Sequence, residues 1–162
     1  MVSCVYACTV GMALRTSPAI ADASATRSCE SRDNLRTRRP KGFPHSAWDL
    51  VEHIRLAQYD LLDFLRNPRY RHALKWPDDY WPKKNAKPTG RQWNASLAQI
   101  RRDTKAIARF TTGFRGDLSK RIPHGTGQTF LRTVLVAVVH NSYHTAQIVD
   151  VRRLLGAWPG AK

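Results

Sequence analysis

Two histidines near the end of the chain, His140 and His144, have the spacing of metal ligands on one helix. Residues four apart lie on the same helix face, about 5–6 Å apart at Cβ, so both imidazoles can reach one divalent ion. Two histidines rarely complete a site, so a third ligand must come from another element. His53 is the candidate, because it lies within the apolar stripe of an earlier predicted helix. The sequence predicts a metal site of His53, His140 and His144, provided that the two helices meet.

A second interpretation of the three histidines stays open at this level. A buried imidazole can also be satisfied by ordinary hydrogen bonds, although three that can converge favour a metal more than two do. Three neutral imidazoles would leave a coordination position open, where a metal acts as a Lewis acid and lowers the pKa of bound water. The segment reads His-Asn-Ser-Tyr-His and lacks the glutamate base of the His-Glu-x-x-His pattern, so peptidase activity is not expected.

The elements that must position these residues are predicted to be helices. Ser46 to Asp49 has the spacing of a capping box, and Asn67-Pro68 ends the helix that follows. Thr89 is the predicted cap of a second helix. We find no strand pattern, so we expect an all-α bundle. The three helices are expected over about Ala47 to Arg66, about Arg91 to Thr111 and about Gln128 to Leu155.

A long connection joins the first two predicted helices and carries Trp76, Tyr80 and Trp81. These aromatic residues either attach the connection to the helices or cover the mouth of a pocket, and the sequence favours attachment. Loop polarity is the simpler explanation of His124, although it could line a pocket. We expect Asp49 to cap its helix and not to orient His53.

The composition suits one globular domain of 162 residues with a net charge of +15. The basic residues are spread along the chain, and no apolar run reaches the length of a membrane span. A nucleic-acid binder would concentrate its charge on one face, so we interpret the one basic helical stripe as a solvated surface. The stripe consists of Arg101, Arg102, Lys105 and Arg109.

The absence of Cys after Cys29 favours a cytoplasmic location for the folded part.

The N-terminal segment differs from the rest. Residues 18–25 are rich in small side chains, and Arg, Ser and Thr dominate Thr26 to Arg39, which favours disorder or an extended chain. An export signal with a cleavage site at Ala21 to Ala25, or a helix, are the alternatives. We predict two segments: residues 1–37, atypical and disordered, and residues 38–162, a helical bundle domain.

From Arg38 onward the chain resembles the DinB-like superfamily of bacterial four-helix proteins. The resemblance rests on P-H-S-A-W-D-L-V-E-H-I from Pro44, I-P-H-G-T-G-Q-T from Ile122 and V-H-N-S-Y-H-T-A-Q-I-V-D-V-R-R-L-L-G from Val139. It implies an up-down-down-up bundle, often a homodimer, with His53, His140 and His144 as ligands of Ni or Zn. Some members are transferases that use a low-molecular-weight thiol, and others are hydrolases.

The resemblance has one departure, because residues 1–37 lack the helical pattern of the family's first helix. If that helix is missing or degenerate, an apolar face of the other three is bare. Three functions are therefore considered: a metal-dependent transferase or hydrolase acting on a small molecule, a non-catalytic basic module for acidic partners such as nucleic acid, and an inactive truncated family member.

Overall fold

The structure is a computed structural model that describes residues 34–158. The disorder, export signal or helix considered for residues 1–33 lies outside the described residues. Within them, the only strand-like feature is one isolated bridge between Arg121 and Thr129, so the all-α class is confirmed. The elements are helix α1 (Ala47–Arg66), a short 3-10 helix (Asp78–Tyr80), helix α2 (Gly90–Gly113) and helix α3 (Phe130–Leu154).

Local capping sets the helix starts. The Ser46 hydroxyl accepts from the backbone N–H of Asp49 at 3.2 Å, and the Asp49 carboxylate accepts from the Ser46 N–H at 2.8 Å. This is the predicted capping box, and Asp49 therefore has its expected capping role. Thr89 and Gln92 form the same arrangement at the start of α2. All three helices begin and end within two residues of their predicted limits.

Helices α1 and α2 run parallel. The rings of Trp48 and Trp93, near the starts of the two helices, have centroids 6.2 Å apart. Further along both helices, the Gln58 side chain donates to the carbonyl of Ile100 at 2.8 Å. Parallel neighbours require a long connection between them, which residues 67–89 supply.

Helix α3 runs antiparallel to α1. His124, just before α3, hydrogen-bonds the carbonyl of Phe64 near the end of α1 at 2.7 Å. Ile148, near the end of α3, shares an apolar cluster with Leu50, near the start of α1. Helices α1 and α2 thus point in one direction and α3 in the opposite direction, as the last three helices do in the predicted up-down-down-up bundle.

The core consists of two apolar clusters separated by a buried polar layer. Gln58, Thr104 and Asn141 form this layer, one residue from each helix, and all are buried. His140 adjoins the polar layer through Asn141, whereas His53 lies beside the first apolar cluster, because Trp81 stacks on His53 and packs against that cluster. The first cluster includes Trp48, Leu50, Ile54, Trp93, Ile100 and Ile148, and the second includes Leu62, Leu65, Ile107, Ile122 and Val134.

The connection between α1 and α2 is attached by two of its three aromatic residues. Tyr80 is only 5% exposed, and Trp81 packs against the first apolar cluster. Trp76 is 68% exposed, and its ring contacts only Tyr80 of the same connection, with centroids 5.4 Å apart, and not the helices. The expected attachment is confirmed for Tyr80 and Trp81 and is wrong for Trp76.

The start of the described chain corrects one expectation. Disorder or an extended chain was favoured over Thr26 to Arg39, whereas residues 34–37 form a helical turn. The Arg36 guanidinium lies 5.1 Å from the centroid of the Trp93 ring, and Arg39 pairs with Asp49 at 3.0 Å. These tertiary contacts stabilise a segment whose composition by itself favours disorder.

Helix α3 retains exposed apolar residues on the side that faces away from α1. Leu131, Leu135, Val136, Val139 and Tyr143 are all exposed. Whether residues 1–33 supply the family's first helix lies outside the described residues, so the bare face expected for a missing or degenerate first helix stays a prediction. None of the described helices combines the length and the apolar character that crossing a membrane requires.

Candidate metal centre

The structure brings together the three histidines that the sequence singled out. One ring nitrogen of each lies within 4.8 Å of the corresponding atoms of the other two. Nε2 of His53, on α1, lies 3.0 Å from Nε2 of His140, on α3. The ring centroid of His144 is 4.6 Å from that of His53 and 4.5 Å from that of His140. Two helices that are distant in sequence thus supply one compact imidazole cluster.

Each histidine directs its other ring nitrogen to a carbonyl-type oxygen. Nδ1 of His53 lies 2.8 Å from the backbone oxygen of Tyr80. Nδ1 of His144 lies 2.7 Å from Oε1 of Gln147, and Nδ1 of His140 lies 3.2 Å from Oδ1 of Asn141. Carbonyl and amide oxygens only accept, so Nδ1 carries the proton in each ring. Each Nε2 therefore presents a lone pair.

The buried polar layer sets the orientation of the Asn141 amide. Gln58 must place its NH₂ group toward the Ile100 carbonyl, which only accepts, at 2.8 Å. Its Oε1 then accepts from Nδ2 of Asn141. This leaves Oδ1 of Asn141 facing His140. The tautomer of His140 thus depends on a hydrogen-bond chain that crosses the bundle from α2 through α1 to α3.

This donor set fits a divalent metal ion. Two lone pairs facing each other across 3.0 Å repel unless a proton or a cation lies between them. Two nitrogens bound to one ion at about 2.0–2.1 Å are separated by roughly 3 Å, so the His53 and His140 atoms have the separation of ligands to a shared metal. Neutral imidazole suits Zn and Ni among the divalent ions. The three histidines could therefore hold one metal ion.

Burial keeps these rings in the neutral, ligating form. His53 is 2% exposed and His144 is 9% exposed. Burial lowers the pKa of His53 and of His140 below the ordinary value. Burial, with a smaller contribution from the neighbouring His140, lowers the pKa of His144 to about 4. At neutral pH the cluster has no bound proton to compete with a metal.

A stack of three rings fixes the face of His53. Trp81 lies parallel to His53, with centroids 3.9 Å apart and an interplanar angle of 3°. On its other face, Trp81 stacks on His45 at 4.2 Å. The edge of Trp81 also meets the His144 ring at 90°. Trp81 thus restricts the rotation of His53 and shields one side of the cluster from water.

Sequence reasoning did not assign these supporting roles to Tyr80, Trp81, Gln58 and Asn141. The aromatic content of the connection was the one available sign for Tyr80 and Trp81. Asp49, which was considered as a partner of His53, is committed to its cap, and the Tyr80 carbonyl takes that place.

Glu52, the acidic residue next to His53 in the sequence, has its partners outside the histidine cluster. Glu52 is buried, accepts from the Ser96 hydroxyl of α2 and forms an ion pair with Arg55 at 2.8 Å. It connects α1 to α2 and does not join the histidine cluster. The metal-type cluster found in the described part of the chain consists of histidines alone.

The other histidines of the described chain lie outside the cluster. His72 is exposed and bonds the Tyr80 hydroxyl at 2.9 Å. His45 stacks on Trp81 and is not a simple loop residue. His124 bonds Phe64 and lines a cavity whose walls include none of the three clustered histidines.

His140 is the one member of the cluster that also lines a groove on the surface of α3. This groove, of about 640 Å³, runs along α3 and is mostly apolar. His140 and Tyr143 lie at one end, with Leu135, Val136 and Val139 along its length. We call it the α3 groove. It places a mostly apolar surface beside His140.

The fold and the cluster together define a class: an all-α bundle with a triad of inward-facing imidazoles between two of its helices. A family model described as the DinB superfamily matches residues 25–148, a range that includes all three histidines. The chain belongs to the DinB superfamily, as its motifs indicated. The match begins upstream of Arg38, the position from which the resemblance was expected. Neither curated proteins nor solved structures give a match to this chain.

Proposed function

We propose that this member of the DinB superfamily is a metal-dependent enzyme whose His53, His140 and His144 bind one Ni or Zn ion. The proposed reaction is transfer that uses a low-molecular-weight thiol, or hydrolysis. The observation that carries the proposal is the meeting of three Nε2 lone pairs, two of them 3.0 Å apart, with every Nδ1 proton donated outward.

When bound, the metal would supply Lewis acidity and lower the pKa of a coordinated water or thiol. The chain's own residues hold and shape the site. Tyr80, Asn141 and Gln147 fix the three ring orientations, and Trp81 excludes water from one side. The α3 groove places a mostly apolar surface beside His140, where we expect substrate to bind. Activation of a small nucleophile beside an apolar groove suits a small organic substrate.

Metal content tests the proposal directly. Purified protein incubated with Zn or Ni and then dialysed is expected to retain about one ion per chain, measured by elemental analysis. His140→Ala is expected to lose the ion. His72→Ala, which removes an exposed histidine outside the cluster, is the matched control and is expected to retain it. Retention of the ion by His140→Ala would contradict the proposed ligand set. If the variant loses the ion, a screen of thiols with electrophiles addresses the reaction.

A basic binding module is the alternative from another class. Arg101, Arg102, Lys105 and Arg109 are all exposed along α2. Such a module would bind nucleic acid with steep salt dependence, would ignore chelators and would survive His140→Ala. The triad favours the enzyme, so we expect only weak binding to nucleic acid.

The cellular setting is also a proposal. We infer a cytoplasmic location, because the cysteines are confined to Cys4, Cys8 and Cys29 and none lies in the bundle. The homodimer implied by the resemblance stays a prediction.

A further inference from the structure

A second cavity lies next to the α3 groove. It has a volume of about 540 Å³ and lies between the second half of α1 and the start of α3. Arg132 and Val136 line both the cavity and the α3 groove, whose other end contains His140. The two spaces are therefore adjacent along one face of α3. The cavity's titratable lining residues are Asp60, Tyr70, His72, His124 and Arg132.

Four of the cavity's titratable groups already have partners. The Asp60 carboxylate accepts from the hydroxyls of Tyr70, at 2.8 Å, and of Tyr80, at 2.6 Å. His72 bonds the Tyr80 hydroxyl, and His124 bonds a backbone carbonyl. These hydrogen bonds build the wall and leave little capacity for a ligand. The negative charge of Asp60 also disfavours the binding of an anion beside Asp60.

Arg132 differs from these titratable groups because its side chain has no such partner among the described residues. Its guanidinium makes no hydrogen bond or ion pair with any residue in the described part of the chain. It is also the one Lys or Arg among the described residues that line the cavity and the groove. An unpaired guanidinium at the junction of two concave spaces is a ready partner for a carboxylate, which it can bind through two parallel N–H donors.

The helix register sets the size of the molecule that could use this partner. Arg132, Val136 and His140 follow one another at intervals of four, so they lie along one face of α3. Eight residues of α-helix span about 12 Å. Between the two ends the groove is apolar. A ligand that reaches both ends must be elongated, with an apolar middle and polar groups at its ends.

We propose that Arg132 binds the carboxylate of an elongated monocarboxylic substrate whose reacting end lies at the histidine triad. This inference rests on the proposed metal-dependent function, and it adds the class of substrate and the residue that selects it. Arg132 contacts the far end of the molecule, so its role is recognition, and the triad carries the chemistry.

Bifunctional thiols test the inference. Mercaptohexanoate and mercaptoundecanoate carry a thiol for the metal and a carboxylate for Arg132, and mercaptohexanol and mercaptoundecanol are their uncharged counterparts. Each is titrated into nickel-loaded protein, with thiolate-to-nickel absorbance as the readout. We expect at least one acid to bind roughly tenfold more tightly than its matched alcohol, as a charge-assisted hydrogen-bond pair would give. Arg132→Gln should remove that preference, and Arg132→Lys should restore part of it.

Arg101→Gln serves as the control, because it removes an exposed positive charge on α2 outside the cavity. The preference for the acid should survive in this variant. Equal affinity of every acid and its alcohol in the unchanged protein would overturn the inference and leave the metal function standing. The same preference in Arg132→Gln as in the unchanged protein would also overturn it.

Failure of the proposed metal function gives a different result. No thiol would then produce an absorbance band, whatever the residue at 132. The carboxylate subsite can still be decided in metal-free protein, by NMR titration with hexanoate and hexanol. Shifts at Val136 that occur with hexanoate and disappear in Arg132→Gln would support the subsite, and identical shifts with both compounds would overturn it.

Discussion

The Tyr80 carbonyl oxygen lies 2.8 Å from Nδ1 of His53, although the two residues are 27 positions apart. A connection residue, and not a neighbouring helix, therefore sets the direction in which His53 presents its lone pair. The Tyr80 hydroxyl is anchored separately on Asp60, at 2.6 Å. One buried tyrosine thus joins the candidate metal centre to the wall of the cavity beyond it.

Removal of Trp81 should weaken metal binding without changing any ligand. In Trp81→Ala the stacked face of His53 is opened to water and the ring is freer to rotate. We expect metal affinity to fall by roughly 10- to 100-fold, which is typical when groups that orient a ligand are lost. Competition with a chromophoric chelator measures this affinity. Tyr59→Ala is the control, because Tyr59 is an aromatic residue on α1 that is 54% exposed and lies outside the cluster and the stack. Equal affinities in the two variants would show that the stack does not support the centre.

The buried polar layer gives a prediction about stability. Gln58→Leu leaves the Asn141 amide without its Gln58 partner inside the core. We expect the free energy of unfolding to fall by about 2 kcal/mol, measured by urea denaturation. Gln58→Leu combined with Asn141→Leu should recover part of the loss, because both buried partners are then apolar.

An exposed amide provides the comparison for that series. Asn94→Leu changes a surface position on α2 and is expected to alter stability by no more than about 0.5 kcal/mol. The double variant should also bind metal more weakly, because His140 loses the oxygen that faces its Nδ1. If the double variant loses more free energy of unfolding than its two single variants lose together, the layer as described would be wrong.

Acid should destabilise the metal-free protein in a defined interval. The ordinary histidine pKa is 6.5, and burial lowers the pKa of His144 to about 4 in the folded protein. Between these values the unfolded chain binds a proton that the folded chain does not, so stability falls as the pH decreases from about 6.5 toward 4. Above that interval the contribution is constant. For His144 the loss is on the order of 3 kcal/mol.

Urea denaturation of metal-free protein at a series of pH values measures this slope. His144→Gln removes one titrating group and should reduce the slope, whereas His72→Gln removes an exposed histidine and should leave it unchanged. Stability that does not vary with pH across the interval in the unchanged protein would mean that the triad is not held neutral by burial.

Much of the fold follows from local patterns. The Ser46 and Thr89 caps and the apolar periodicity predicted all three long helices to within two residues, because capping and the helical repeat depend on residues close in sequence. The same periodicity placed His53, His140 and His144 on core-facing stripes. The spacing of His140 and His144 on one helix was likewise a local property. These features therefore needed no knowledge of how the helices pack.

The tertiary structure decided the rest. Whether His53 meets His140, which ring nitrogen each histidine presents, and which residues hold them depend on contacts between segments that are distant in sequence. Tyr80, Trp81 and Gln58 have side-chain types that fit many roles, and no local repeat relates them to the histidines. The direction of a lone pair and the place of an unpaired Arg132 arise only when separate elements pack together, because hydrogen bonds and cavities are properties of the assembled core.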